Sequence, residues 1–236
     1  IKFMKIAISQ PTYLPWQGYF ALIDYVDEFV FLENIQFNKR SWQQRNKIVS
    51  NEKEIFLTIP VKTKGKFSQN IFEVEIDDFE KNKIKHIISI KNAYSKCKYF
   101  DQYFDSLEKI LMKDHTKLSE LNKELIVHIC KILDIKTVLS NDRTFNLSSK
   151  KTDYLKDICV MKKCDHYIST LGSKIYFREI KHFSNTKIKI DYFDFKDNKY
   201  SQNSKNFISR LSIIDLLFNL GPDTLEYLKN NFFICK

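Results

Sequence analysis

Ile6 and Ile8 alternate with smaller residues over positions 4–9, the pattern of a buried first strand. Residues 10–20 interrupt it with two prolines, a glycine, two tyrosines and a tryptophan. Leu22, Ile23 and Val26 then continue at helical spacing. A compact apolar stretch at 28–33 reads as a second strand, so strand, helix and strand together predict a right-handed βαβ unit. A polar, aromatic loop is expected over 34–46. A strand at 54–61 stops near Pro60, an exposed loop surrounds Gly65, and residues 71–76 alternate as a further strand. From 78 to 133 the period changes to that of helices. Ile84, Ile87, Ile88 and Ile90 make one apolar face, Phe104, Leu107, Ile110 and Leu111 a second. Leu121, Leu125, Ile126, Ile129 and Ile132 make a third.

The α/β alternation then resumes, with strands at 136–139, 166–170 and 187–195 and a helix at 150–163. Gly172 opens a loop into another helical segment. Ser212 and Asp215 stand at a helix start, and Gly221-Pro222 closes that helix and opens the next. The fold class is therefore α/β: a central, mostly parallel sheet with flanking helices and a helical block in mid-chain. No repeat or low-complexity linker divides the chain, so residues 4–236 are expected to form one domain.

Composition narrows the class. A hydrophobic content of 43% over 236 residues excludes wholesale disorder, and no apolar run approaches the roughly 20 residues that span a bilayer. Residues 1–3 precede Met4, which reads as the natural start. The opening lacks a secretory pattern, so a cytoplasmic location without membrane insertion is expected. Five cysteines form no regular framework, which fits a reducing compartment. Cys159, Cys164 and His166 match no common zinc spacing. The net charge of +10 points to an acidic partner such as nucleotide phosphates, RNA or an anionic surface. Lysines spread among many Asn and Ile residues are equally what a low-GC coding sequence gives.

The prolines of 10–20 fix φ and remove donors, and Gly18 admits a close neighbour. The result is a stiff, aromatic loop between strand and helix, where α/β proteins bind ligands. An N-terminal hydrophobic plug is the plainer reading. Gln10, Pro11, Tyr13, Pro15, Trp16, Gly18, Tyr19 and Phe20 resemble the N-terminal motif of the WbqC-like family. Glu33-Asn-Ile-Gln-Phe-Asn-Lys-Arg-Ser-Trp-Gln-Gln-Arg-Asn46 resembles its second block, although members often carry Asp where Glu33 stands. Three looser blocks follow in order. They hold His86, Tyr94 and Tyr99-Phe100; then Ser169 to Lys174 with Tyr176; then Tyr200-x-Gln202 with Leu211 to Asn219 and Gly221. The resemblance thus spans nearly the whole chain. It implies a place in O-antigen or other surface-sugar biosynthesis and a transferase acting on amino sugars, glycine being the group proposed for the family.

Forming an amide on a sugar amine needs a neutral amine, an activated acyl group and a stabilised oxyanion. The donor is left open among aminoacyl-tRNA, ATP with an aminoacyl-adenylate, and acyl-CoA. The acceptor is expected to be a dTDP- or UDP-linked amino sugar. His86 is a candidate base because imidazole titrates near neutrality; a histidine on an isoleucine-rich helix is also commonly a packed residue. Glu33, at a strand end, is the other candidate, or else pairs with Arg40 or Arg45. Arg45 can fork onto phosphate and Trp42 can stack on a base or sugar. Gln10, Gln36 and Gln202 are hydrogen-bond readers, Tyr13, Trp16, Gly18 and Tyr19 line the motif loop, and Lys174 follows Gly172 as a phosphate cation. Asp215 is either a helix-terminal residue or a substrate contact.

Pro15-Trp-Gln-Gly-Tyr19 after a strand also resembles the HIGH-type nucleotidylyl transferases, with Trp16 and Tyr19 in the two histidine places. Neither supplies an imidazole, so that chemistry does not transfer directly. A nucleotidylyl or other ATP-using transferase, and a non-catalytic nucleotide- or RNA-binding module, are the alternative functions.

Overall fold

A computed structural model describes residues 3–78, 80–173 and 182–235. The first strand, β1 (Lys5–Ser9), is followed by helix α1 (Gln17–Tyr25) and β2 (Glu28–Phe31), and β2 lies parallel to β1, as the apolar pattern predicts. β5 (Val138–Asn141) adds outside β2. On the other side of β1 come β6 (His166–Thr170), β7 (Lys189–Phe195) and β8 (Phe232–Cys235), giving the order β5-β2-β1-β6-β7-β8. All pairs are parallel except β7 with β8. Ile6, Ala7, Phe29 and Val30 are wholly buried, as parallel strands covered on both faces require.

The chain leaves β1 toward β2 and later returns to β1's opposite edge with β6. The order therefore reverses between β1 and β6, and a crevice opens beyond their carboxyl ends. The reversal places a small gap where the chain leaves β1 at Gln10.

A separate hairpin, β3 (Arg45–Ser50) with β4 (Lys53–Thr58), turns through Asn51 and Glu52, both at positive φ. The strand expected at 54–61 is therefore β4, and its partner occupies the segment after the predicted loop. The strand expected at 71–76 is not formed. Ile71–Glu73 is a 3-10 turn, because Asn70 and Glu73 cap it reciprocally and the Asn70 N–H donates to Glu73 Oε2 at 2.6 Å. Only isolated bridges remain at Glu75 and Ile76.

The helical block consists of α2 (Glu80–Tyr94), α3 (Phe100–Leu111) and α4 (Leu118–Ile132). Its first face differs from the expected one. Lys83, His86, Ile87 and Ile90 point inward, while Ile84 and Ile88 are about half exposed. Lys83 tolerates burial because its ammonium reaches Glu80 and Asp114, each at 2.8 Å. Helix α5 (Lys151–Met161) precedes β6. Ser212 caps α6 (Ile213–Leu220), and Gly221, at positive φ, ends it before α7 (Thr224–Asn230). Lys174 and the helical segment expected after Gly172 lie outside the described residues.

Candidate functional site at the strand-order reversal

The loop that leaves β1 is built under strain. Leu14 is 1% exposed and has φ of +41°, a region costly for a branched, bulky side chain. Asn46, at the start of β3, holds it there: its side-chain amide donates to the Tyr13 carbonyl at 3.1 Å and to the Leu14 carbonyl at 2.8 Å. The Tyr13 N–H in turn donates to the Trp42 carbonyl at 3.0 Å. Two loops distant in sequence are thus joined by backbone hydrogen bonds. Gly18, in the first turn of α1, lies under the Trp16 ring, and a Cβ there would overlap it.

A cavity of about 170 Å³ sits at the carboxyl ends of β1 and β6. Ser9 and Gln10 line one side, Tyr167, Ser169 and Thr170 the other, and Leu32 and Leu155 close it. Beside it stands a polar cluster. Gln43 donates to Gln10 Oε1 at 2.6 Å, and the Tyr19 hydroxyl donates to the Gln10 carbonyl at 3.0 Å. Asn122 of α4 donates to the carbonyls of Gln43 (2.7 Å) and Pro11 (3.1 Å). Lys123, the next residue, meets Glu33 Oε2 at 2.8 Å.

Glu33 has no exposed surface, and its other oxygen, Oε1, is buried without a hydrogen-bond partner. Gln43 Oε1 and Asn122 Oδ1 are buried and unpartnered as well. Acceptors without donors in such a place are costly and call for explanation. The backbone around Glu33 is fixed by Asp142, at the end of β5, whose carboxylate accepts from the N–H groups of Glu33 (2.8 Å) and Asn34 (3.0 Å) and from the Tyr154 hydroxyl (3.1 Å). Burial nonetheless raises the Asp142 pKa, against those hydrogen bonds.

The other predicted residues fall into separate groups. His86 is buried, with Nδ1 2.9 Å from the Tyr13 hydroxyl. Desolvation lowers its pKa to about 4 against a hydrogen bond to the Thr58 backbone, so it is neutral at pH 7. This is a packed imidazole between α2 and the hairpin; like Glu33, Gln43, Asn122 and Lys123, it does not itself line the cavity. Asp215 forms another buried knot. It accepts from Tyr200 (2.5 Å) and Gln202 (3.0 Å), while Gln17 donates to the Tyr200 hydroxyl at 3.1 Å. Burial raises the Asp215 pKa to about 6, partly offset by hydrogen bonds from Tyr200, Tyr94 and Gln202. Trp16 adjoins this knot through its bridge to Ser212 and an edge contact with Phe195. Gln36, Trp42 and Arg45 lie toward the surface.

Of the expected residues, then, Gln10, Tyr19 and Glu33 meet at the reversal. Sequence reasoning missed Gln43, Asn122, Lys123 and Asp142. Asn122 carried a signal: it falls on the apolar stripe of α4 with Leu118, Leu121 and Leu125, where a polar side chain needs a reason. A larger cavity, of about 400 Å³, lies between Lys62, Glu75, Lys83, Asp114 and Lys117. Its lysines pair with its carboxylates, while the buried Nδ1 of His115 in its wall has no hydrogen-bond partner. Among the described residues no three His, Cys, Asp or Glu side chains converge as metal ligands, and no helix is long and apolar enough to cross a membrane.

Fold and site together define a doubly wound α/β protein with a polar pocket at its strand-order reversal. Residues 10–227 match the model of the WbqC-like protein family, and the chain belongs to that family. It is similar to a protein of Mycobacterium tuberculosis (strain ATCC 25618 / H37Rv) named "Uncharacterized protein Rv1507c", with 36% identity over 227 residues, covering 95% of this chain and 97% of that one. No solved structure matches the chain.

Proposed function

We propose that the protein transfers an acyl or aminoacyl group, glycine in the specific case, to the amine of a nucleotide-linked amino sugar in surface-polysaccharide assembly. The observation that carries this reading is the unpartnered Glu33 Oε1, held in a buried place beside the cavity. With Gln43 Oε1 and Asn122 Oδ1 it gives the cluster three buried acceptors whose donors are not supplied by their neighbours. A primary amine brings two N–H donors beside the lone pair that attacks, and its ammonium form three donors, so it is a group this arrangement suits.

In the reaction the amine nitrogen attacks the acyl carbon and a C–N bond forms. The amine proton passes to the Glu33 carboxylate. The Lys123 ammonium, 2.8 Å from Oε2, orients that carboxylate, and its charge would favour an oxyanion formed beside it. The intermediate collapses, the bond to the leaving group breaks, and Glu33 returns its proton to that group. Gln10 and Ser169, in the cavity's lining, are the polar groups by which it would hold sugar hydroxyls or phosphate.

Glu33→Gln keeps the shape and removes the base. We expect it to lower turnover by roughly 10²–10⁴-fold with a much smaller change in acceptor binding. Mass spectrometry of a dTDP- or UDP-linked amino sugar, incubated with aminoacyl-tRNA, aminoacyl-adenylate or acyl-CoA, checks this. No mass gain with any of these donors, or full turnover in Glu33→Gln, refutes the assignment. Pyrophosphate release from ATP or CTP without acyl transfer would favour the nucleotidylyl alternative suggested by the β1–α1 layout.

A further inference from the structure

The segment 36–68 holds eight Lys and Arg residues against two Glu and no Asp, so it carries more than half of the chain's net charge of +10. Lys47, Lys62 and Lys66 are ion-paired. Among the described residues, Lys39, Arg40, Arg45, Lys53 and Lys64 have no carboxylate at ion-pair distance. The same segment exposes three aromatic rings: Trp42 at 51%, Phe56 at 48% and Phe67 at 81%. Trp42 and Phe56 stack with centroids 6.2 Å apart, and the Arg45 guanidinium lies 4.7 Å from the Phe56 ring. The Lys39 ammonium is 5.8 Å from the Phe67 ring, and Gln36 ties that loop down by donating to the Phe67 carbonyl at 3.1 Å.

Exposed rings interleaved with unneutralised cations present π-faces for bases and charges for phosphates. A duplex buries its base faces and leaves such rings idle; an unpaired strand does not. The position of this surface adds direction. The Trp42 carbonyl is bonded to Tyr13 of the motif loop, and the next side chain, Gln43, reaches Gln10 at the cavity.

We propose that this surface seats the unpaired 3′ end of an aminoacylated RNA, which brings the acyl donor to the cleft. The proposal rests on the transfer reading for its purpose and on the surface alone for RNA binding.

The test is titration of a fluorescently labelled single-stranded oligoribonucleotide ending in CCA, alongside the same sequence in a blunt duplex. Binding to the single strand is expected to exceed binding to the duplex and to weaken steeply with salt. Phe56→Ala and Phe67→Ala are each expected to weaken it about tenfold, with unchanged circular dichroism. Lys39→Ala combined with Arg45→Ala is expected to lower the salt slope by about 1–2. Phe67 is exposed enough that its variant folds even if that of Phe56 does not. Equal affinity in all variants, a preference for the duplex, or binding only to anionic phospholipid vesicles overturns the proposal. Transfer from a small activated donor without RNA binding ends this inference and leaves the transfer reading standing. RNA binding without transfer from any donor does the reverse.

Discussion

His86 and Asp215 are two buried titratable groups whose pKa values are displaced in opposite directions, so they pull the stability profile opposite ways. For His86 the folded pKa, about 4, lies below the ordinary value of 6.5. Between those limits the unfolded chain holds the extra proton, and stability from this group rises with pH. For Asp215 the folded pKa, about 6, lies above 3.8. Between about pH 4 and 6 the native state holds the proton, and stability from this group falls as pH rises. Each displacement corresponds to about 3 kcal/mol, so between pH 4 and 6 they nearly cancel. Asp215→Asn should therefore steepen the rise of stability across that interval relative to the parent, and His86→Gln should produce a relative fall. Urea denaturation at half-unit pH steps reads both, and parallel curves for parent and variants would show that neither group titrates as its surroundings dictate. The same residues show the limits of sequence. His86 read as a candidate base because imidazole chemistry is visible in one letter; that it packs against Tyr13 and the Thr58 backbone is set by tertiary contacts the letter does not carry.

Among the elements, the 10–16 loop depends most on help from elsewhere. Asn46→Ala would leave the buried Tyr13 and Leu14 carbonyls without their amide donor and the left-handed Leu14 without its clamp. A loss of about 2–4 kcal/mol is expected by denaturant unfolding, and a loss under half a kcal/mol would mean the loop holds its conformation alone. Legibility also varied by element. β1, α1 and β2 were plain because strands buried on both faces and a helix buried from Gln17 to Ile23 read as apolar runs parted by the proline-rich loop. β3 was hidden because its turn, Asn51-Glu52, reaches positive φ without the glycine that usually announces a hairpin. The supposed strand at 71–76 misled because its alternation is real, while the capping pair Asn70 and Glu73 bends the backbone first.

For the molecule as a whole, the strand order could not be read from the sequence, since helices of similar length permit several. Only the return of β6 to the free edge of β1 creates the reversal that brings Gln10 and Ser169 to opposite walls of one cavity. The polar cluster beside this cavity draws Gln43 from a loop and Asn122 and Lys123 from the helical block, so no single stretch of sequence displays it. The motif loop was legible as a stiff, aromatic connection from strand to helix; its partners belonged to segments whose meeting is a property of topology.

The hydrogen bond from Tyr13 to the Trp42 carbonyl has a thermodynamic corollary. Whatever change an occupant of the cavity makes in the free energy of filling the outer surface, across this link or any other, is equal in both orders of addition. Calorimetric titration of nucleotide sugar in the presence and absence of oligoribonucleotide should yield matching affinity ratios whichever is added first. Ratios of unity both ways would mean that the two regions, though stitched together, act as strangers.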